Sequence, residues 1–365
     1  MFLSKQGPLG RSLRSSWRRI TRTLGTRAGI LAATLLIAAT LASGWLAFDT
    51  FAQAPTKIRV GQTPVLISAP LFIAQEKGYF RDAGLDVEFV DIWQASEMLA
   101  GIASGDLQIG TGGVGAGLMN AINRGLDVRI VAPLHTERPP VTTPLVVSKA
   151  LWDSGQVRSV ADLRGRTVAI NSKGSAVEYW LVAALATGGL TPNDVDVQVL
   201  SFPDAVTAMA NGAIAGALIG EPVATRAEQG GIIVRLAEDF VDEFQVTAVY
   251  YTGNFVDRQR PAGEAFMRAF LRASRDLEGT GYRSPENLAI LEKYTKVPAA
   301  TIGASRLPYH DPEGRVRVQD FQQLHDFFMQ QGTLTFSQPL DIGRLVDTSF
   351  ADEARASAVV PPVRR

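Results

Sequence analysis

Cysteine is absent from the 365 residues, and histidine occurs only at His135, His310 and His325. Without a thiol there can be no disulfide framework, no thiolate zinc site and no cysteine nucleophile. Three widely spaced histidines with no H-E-x-x-H pair do not make a histidine-rich metal site; neither a metal nor a cofactor is expected. Net charge is also lacking, with 36 basic against 36 acidic side chains. The balance hides a split: residues 1–52 hold seven basic residues against Asp49 alone, so the remainder carries −6. An acidic body has no basic face to displace counterions from phosphate, and nucleic acid is not an expected partner. A hydrophobic content of 46% with 20% charged residues describes a globular chain, long enough for two ordinary cores.

The apolar run Ala28–Ala42 follows a basic stretch, Arg18–Arg27, and leads into small residues. This is the layout of a secretory signal. Arg18-Arg19 matches a twin-arginine signal only loosely. Cleavage after Ala52 avoids placing Pro55 just beyond the cut. Extended through Phe48, the run reaches roughly 20 residues, enough to cross a bilayer. Residues 1–54 are therefore expected to be a signal peptide or an N-terminal membrane anchor. Either way the basic flank stays cytoplasmic and the body lies in the periplasm.

From Lys57 onward, β-rich runs alternate with amphipathic stretches. Strands are expected at Lys57–Gly61, Val87–Asp91, Leu107–Gly110 and Val128–Pro133, with helices at Pro70–Arg81, Ser96–Ser104 and Val114–Arg124 between them. The alternation predicts a mainly parallel sheet covered on both faces. It restarts at Leu145–Ser148 and runs to Ile232–Leu236. Ala95–Gly110 and Ala205–Gly220 share one signature, a short helix ending at a glycine turn that feeds an apolar strand closed by glycine. The fold class is α/β, with two mainly parallel sheets flanked by helices and a hinge between them. Pro133–Pro144, with four prolines, suits one crossing between lobes, and Val246–Thr252 suits the other. The expected division is residues 55–142 and 251–352 for a discontinuous lobe 1, 143–250 for lobe 2, and a flexible tail at 353–365.

Ligands of open α/β sheets bind beyond the carboxyl ends of the strands. That rule selects the loops Gln62–Pro70, Ile92–Ala95, Thr111–Val114, Leu134–Glu137, Ser172–Ser175 and Glu221-Pro222. In Asn171-Ser-Lys-Gly-Ser175 a glycine permits close backbone approach beside two hydroxyls and Lys173, although Ser175 would also serve as a plain helix cap. Gly110-Thr-Gly-Gly-Val-Gly115 satisfies G-x-G-x-x-G, but it is not at the first βα turn of an intracellular chain, and a dinucleotide is not expected. His135 and Trp93 each fit a pocket role or a packing role. Glu221 fits the rim of the cleft or the start of a helix.

Pro70-Leu-Phe-Ile-Ala-Gln-Glu-Lys-Gly-Tyr-Phe-Arg-Asp-Ala-Gly-Leu-Asp-Val-Glu88 resembles the first helix and second strand of binding proteins of ABC importers in the nitrate, sulfonate, taurine and bicarbonate group. Ala103–Gly110, Val160–Ala169, Asn171–Ser175 and Gly220–Pro222 resemble later landmarks of that group in the same order, and the likeness spans roughly residues 57–280. It implies a type II periplasmic-binding-protein fold, no enzymatic activity, a monomer, and two partners: a small-molecule ligand, such as a sulfonate or nitrate, and a membrane permease. Carried over by position it marks Thr63, Pro64, Ile67, Gly113, Val114, His135, Lys173, Gly174, Ser175 and Glu221 as ligand-binding, beside Trp93. Ala215-Gly216 departs from the group, which commonly has an acid there. The six loops hold no arginine, Arg138 being the nearest, so a neutral or aromatic ligand fits as well as an anion. Alternatives are a membrane-tethered sensory receptor and a pyrimidine-synthase-like enzyme, whose cysteine-rich motif this chain lacks.

Overall fold

The computed structural model describes residues 54–359; the signal-or-anchor segment lies outside them. Among the described residues no helix is long and apolar enough to cross a membrane.

The first sheet is built from β1 (Thr56–Gln62), β2 (Leu85–Asp91), β3 (Ile109–Gly113) and β4 (Val128–Glu137), joined by β10 (Phe244–Thr252) in the order β2-β1-β3-β10-β4. The second contains β5 (Leu145–Ser148), β6 (Thr167–Ile170), β7 (Asp196–Val199), β8 (Gly216–Leu218) and β9 (Ile233–Ala237), ordered β7-β6-β8-β5-β9. Each sheet has one reversed strand, in the same place. β10 runs antiparallel between β3 and β4, and β5 runs antiparallel between β8 and β9. These are the strands by which the chain arrives from the other sheet, which accounts for the reversal. The glycine-turn signature occupies equivalent ground in both halves: α3 (Ala95–Ser104) feeds β3, and α7 (Phe202–Ala210) feeds β8.

Helices cover both sheets. Those of the first half are α1 (Ala69–Glu76), α2 (Tyr79–Asp82), α3 and α4 (Ala116–Asn123). The second half carries α5 (Lys149–Asp153), α6 (Ala176–Ala186), α7 and α8 (Val223–Gln229). After β10 come α9 (Gly253–Arg258), α10 (Arg260–Asp276), α11 (Pro285–Thr295), α12 (Ala299–Ala304), α13 (Val318–Gln330), α14 (Ile342–Leu345) and α15 (Ser349–Val359). α1, α10 and α11 bury Phe72, Phe266 and Leu291 in one core with Ile58 and Val249. α13 joins the halves. Its Phe321, Leu324 and Phe328 share a core with Met119 of α4 and Trp180 of α6. Its Asp320 accepts the Gln245 amide of β10 at 2.9 Å.

Four departures from the sequence pattern have local causes. The helix expected over 70–81 is two, broken at Gly78, where φ is +74°. β4 continues through Pro133 to Glu137 because it is an edge strand, whose free side needs no N–H there. Ser159 and Asp162 form the expected capping box, but on a single 3-10 turn. Residues 353–359, placed in the expected loose tail, belong instead to α15, whose Phe350, Ala351 and Ala354 are buried. Phe350 meets Tyr251 edge to face at 5.0 Å and carries the Arg260 guanidinium over its ring. Gly263 allows this approach, since a Cβ there would lie 2.9 Å from the Phe350 ring.

Candidate functional site

A cavity of about 250 Å³ lies between the two sheets, and all six strand-end loops reach it. Thr63 and Ile67 come from the segment after β1, Trp93 from the loop after β2, Gly113 from the end of β3, and His135 from β4. Across the cleft stand Lys173, Gly174 and Ser175, which precede α6, and Glu221, which follows β8. Pro64 and Val114 are buried beside the lining and not part of it. The Val114 amide is spent on the Val246 carbonyl at 3.2 Å.

Backbone contacts draw the two halves together around the cavity. The Ala116 amide donates to the Gly174 carbonyl at 2.7 Å and the Leu66 amide to the Glu221 carbonyl at 3.0 Å. Asn171 Nδ2 reaches the Trp93 carbonyl at 3.4 Å. Trp93 also meets Phe202 of the other half edge to face, with ring centroids 6.4 Å apart. The G-x-G-x-x-G run serves this packing. A Cβ on Gly110 would lie 2.2 Å from the Tyr250 ring, and one on Gly115 would lie 2.2 Å from the Gly174 oxygen.

His135 is 2% exposed, with Nδ1 2.5 Å from Thr247 Oγ1 and Nε2 3.3 Å from Glu137 Oε1. That approach sets the imidazole directly beside the buried carboxylate. Glu137 is fully buried and accepts from the Thr142 amide at 2.8 Å and its hydroxyl at 2.7 Å. Burial works to raise this carboxyl, but His135 and the Thr142 donors together hold it below the ordinary carboxylate range. Asn171 Oδ1 is a buried polar atom on the lining without a hydrogen-bond partner.

Glu221 reaches the cleft edge with its carboxylate already engaged. It accepts from the Thr225 amide and hydroxyl at 3.0 Å each and from Arg235 at 2.6 Å. Burial opposes the charge on Arg235, yet Glu221 and Glu228 outweigh it and raise that guanidinium above its ordinary value. Lys173 is exposed at the rim. Arg138 is not on the lining; it pairs with Glu243 at 2.9 Å and stacks over Tyr309. Glu178 accepts the Gly174 amide at 2.5 Å, and Tyr179 packs away from the cleft against Phe244 and Phe327.

The strand-end rule does not reach the remaining lining residues. Val246, Thr247 and Tyr250 lie on β10, Met98 and Leu99 on α3, Leu118 on α4, Trp180 on α6 and Phe202 on α7. Period-2 and helical patterns mark such residues as buried without saying whether they face a core or a cavity. Among the described residues no cluster of histidine and carboxylate side chains is placed to hold a metal ion.

Comparison with known proteins adds independent support for the fold. The riboflavin-binding protein RibY of Chloroflexus aurantiacus is 28% identical over 222 residues, 58% of this chain and 59% of that protein. The putative aliphatic sulfonates-binding protein of Escherichia coli is 28% identical over 280 residues, 74% of this chain and 82% of that protein. The chain thus spans about three fifths of the riboflavin-binding relative and most of the sulfonate-binding one. Among solved structures, the periplasmic nitrate-binding protein NrtA from Synechocystis PCC 6803 superposes with a TM-score of 0.70 at 19% identity, over 84% of this chain and 90% of that one. Two α/β sheets, each with one reversed strand and a cleft between them, are therefore the periplasmic-binding-protein fold. Residues 52–291 match the sequence model of the NMT1-like family, and the chain belongs to it.

Proposed function

We propose that the chain is the solute-binding component of an ABC import system. It is exported to the periplasm, closes as a monomer on a small molecule and delivers that molecule to a membrane permease. Residues 143–250 form one moving lobe, and 55–142 with 251–352 form the other. The carrying observation is that one cavity is bounded by strand-end loops of both sheets, by Thr143 on the outgoing crossing and by Val246, Thr247 and Tyr250 of β10 on the return. Contact with a ligand there is contact with both lobes, so binding shifts an open–closed equilibrium. Thr63, Ile67, Trp93, Gly113, His135, Lys173, Gly174 and Ser175 contact the solute. Pro64 and Val114 back the lining, and Glu221 holds the cleft edge through Arg235. The names of the relatives support a binding role, and capture of this kind needs no nucleophile, metal or cofactor.

Thermal-shift screening against sulfonates, nitrate, bicarbonate, pyrimidines and aromatic acids tests the reading. A true ligand at about 100 times its Kd adds about 2.7 kcal/mol of stability. Silence across the panel, with turnover of one member, would show the reading to be wrong. Lys173→Ala with unchanged affinity would remove that residue from the contact set. The N-terminal sequence of the exported protein separates a released form from an anchored one.

A further inference from the structure

Building on that reading, we infer that the cleft selects its solute by an aromatic ring. The fitting ligand is a single-ring molecule of about ten heavy atoms with one hydrogen-bonding head group. Volume sets the size. A dry protein cavity of about 150 Å³ holds benzene, so about 250 Å³ holds about ten heavy atoms by proportion. Nitrate or bicarbonate would leave most of that space unfilled, and a three-ring flavin would overfill it.

The lining sets the chemistry. Trp93, Trp180, Phe202 and Tyr250 all present surface to the cavity. Trp93 and Phe202, from opposite halves, already adopt the edge-to-face geometry that aromatic groups prefer. A ring entering beside them extends a cluster that exists only when the halves are together. The polar end is read at Asn171 Oδ1, which is buried on the lining without a partner, while His135 Nε2 already faces the Glu137 carboxylate at 3.3 Å. An unpartnered atom is costly to bury, and a head group that bonds it recovers that cost.

The test uses pairs that keep the head group and change only the ring: benzenesulfonate against cyclohexanesulfonate, and benzamide against cyclohexanecarboxamide, with propanesulfonate, nitrate and riboflavin beside them. Binding to the purified protein is followed by calorimetry and by the change in tryptophan emission that Trp93→Leu removes. The expected result is that the arene binds roughly tenfold tighter than its saturated partner in at least one pair. Trp93→Leu should abolish that preference while the protein stays folded by circular dichroism. A saturated partner matching its arene in both pairs overturns the inference, as does propanesulfonate, nitrate or riboflavin outranking every arene. Silence of every compound also overturns the inference, and all of these outcomes leave the receptor reading standing, since that falls only on silence across the wider screen with turnover of a member.

Discussion

Gly115→Ala isolates closure from folding. Gly115 has φ −95° and ψ 175°, extended backbone that any residue adopts, so the glycine is not required by its own conformation. Its reason lies across the cleft. An added Cβ would stand 2.2 Å from the Gly174 oxygen and 3.2 Å from Ser175 Cα. The first contact is roughly 1 Å short of the spacing that carbon and oxygen keep. The alanine therefore forces the β3–α4 loop away from the loop before α6 and breaks the 2.7 Å bond from the Ala116 amide to Gly174. Losing that bond removes about 1 kcal/mol, and the overpacking adds about 1–3 kcal/mol. At 1.4 kcal/mol per decade, Kd should rise roughly 30- to 700-fold. In the open form that the proposed closure requires, the two loops are apart and accommodate the methyl, so the unfolding midpoint of ligand-free protein should not fall. Calorimetric titration with a solute found by screening reads the first effect, and differential scanning calorimetry the second. Gly303→Ala is the control, because its Cβ would meet only Leu288 at an ordinary 3.7 Å. If Gly115→Ala binds like the parent, the loops do not touch in the bound form and the closure argument is refuted.

Removing Arg235 leaves the fully buried Glu221 carboxylate uncompensated. Arg235→Met should cost about 3–5 kcal/mol, a fall in Tm on the order of 10 °C. Adding Glu221→Gln should restore part of it, and calorimetry showing no recovery would refute the pairing. Burial pushes the His310 imidazole from 6.5 down to about 3, with Nδ1 donating to the Leu134 carbonyl at 2.9 Å. Because the folded value lies below the unfolded one, its stabilisation is complete above about pH 6.5 and is lost as pH falls toward 3. About 2 kcal/mol should go between pH 6.5 and 5, measured as urea midpoints. His310→Gln should flatten that slope, and an unchanged slope would assign it to other groups. Phe350→Ala should destabilise by about 3–5 kcal/mol in urea unfolding, whereas an undocked α15 would give less than about 0.5 kcal/mol.

The alternation of strands and helices was legible because each element buries one face, and the repeated glycine-turn signature marked the third strand of both sheets. What patterning could not supply was direction. Leu145–Ser148 and Val246–Thr252 read as strands, but nothing local says that each enters its sheet reversed, since that follows from where the chain has come from. Residues 353–359 were missed because the contacts of α15 rest chiefly on Phe350 and Ala351 ahead of them, which with Ala354 are too few to form a periodic stripe. Their burial depends on Gly263, almost ninety residues away. In the cleft, loops at strand ends are readable because glycines and caps punctuate them. Trp180 and Phe202 are not, since a helix residue facing a cavity has the same neighbours in sequence as one facing a core.

The reversed strands also explain why the candidate cavity can drive closure. β10 is the return path between the halves and an inner strand of the first sheet, and its Val246, Thr247 and Tyr250 line the cavity. Thr143 lines it from the outgoing path, just before β5, and its hydroxyl lies 3.4 Å from Glu137. Glu137 in turn stands beside His135, and His135 beside Thr247 of the return path. A single buried polar chain thus joins both crossings directly under the cavity. α13 is fixed to the same place, with Asp320 holding the Gln245 amide and the Arg317 amide donating to Gln245 Oε1 at 2.7 Å. In the proposed closure, rotation about this line would change the distance between Gly115 and Gly174 while leaving each sheet intact. A solute that touches His135 would act at the pivot, and one that also packs against Trp93 and Phe202 would act at the far edge of the same lever. In that proposed closure, a ligand touching both ends would distinguish the closed form from the open one, and that difference in contact would be the free energy available to shift the equilibrium.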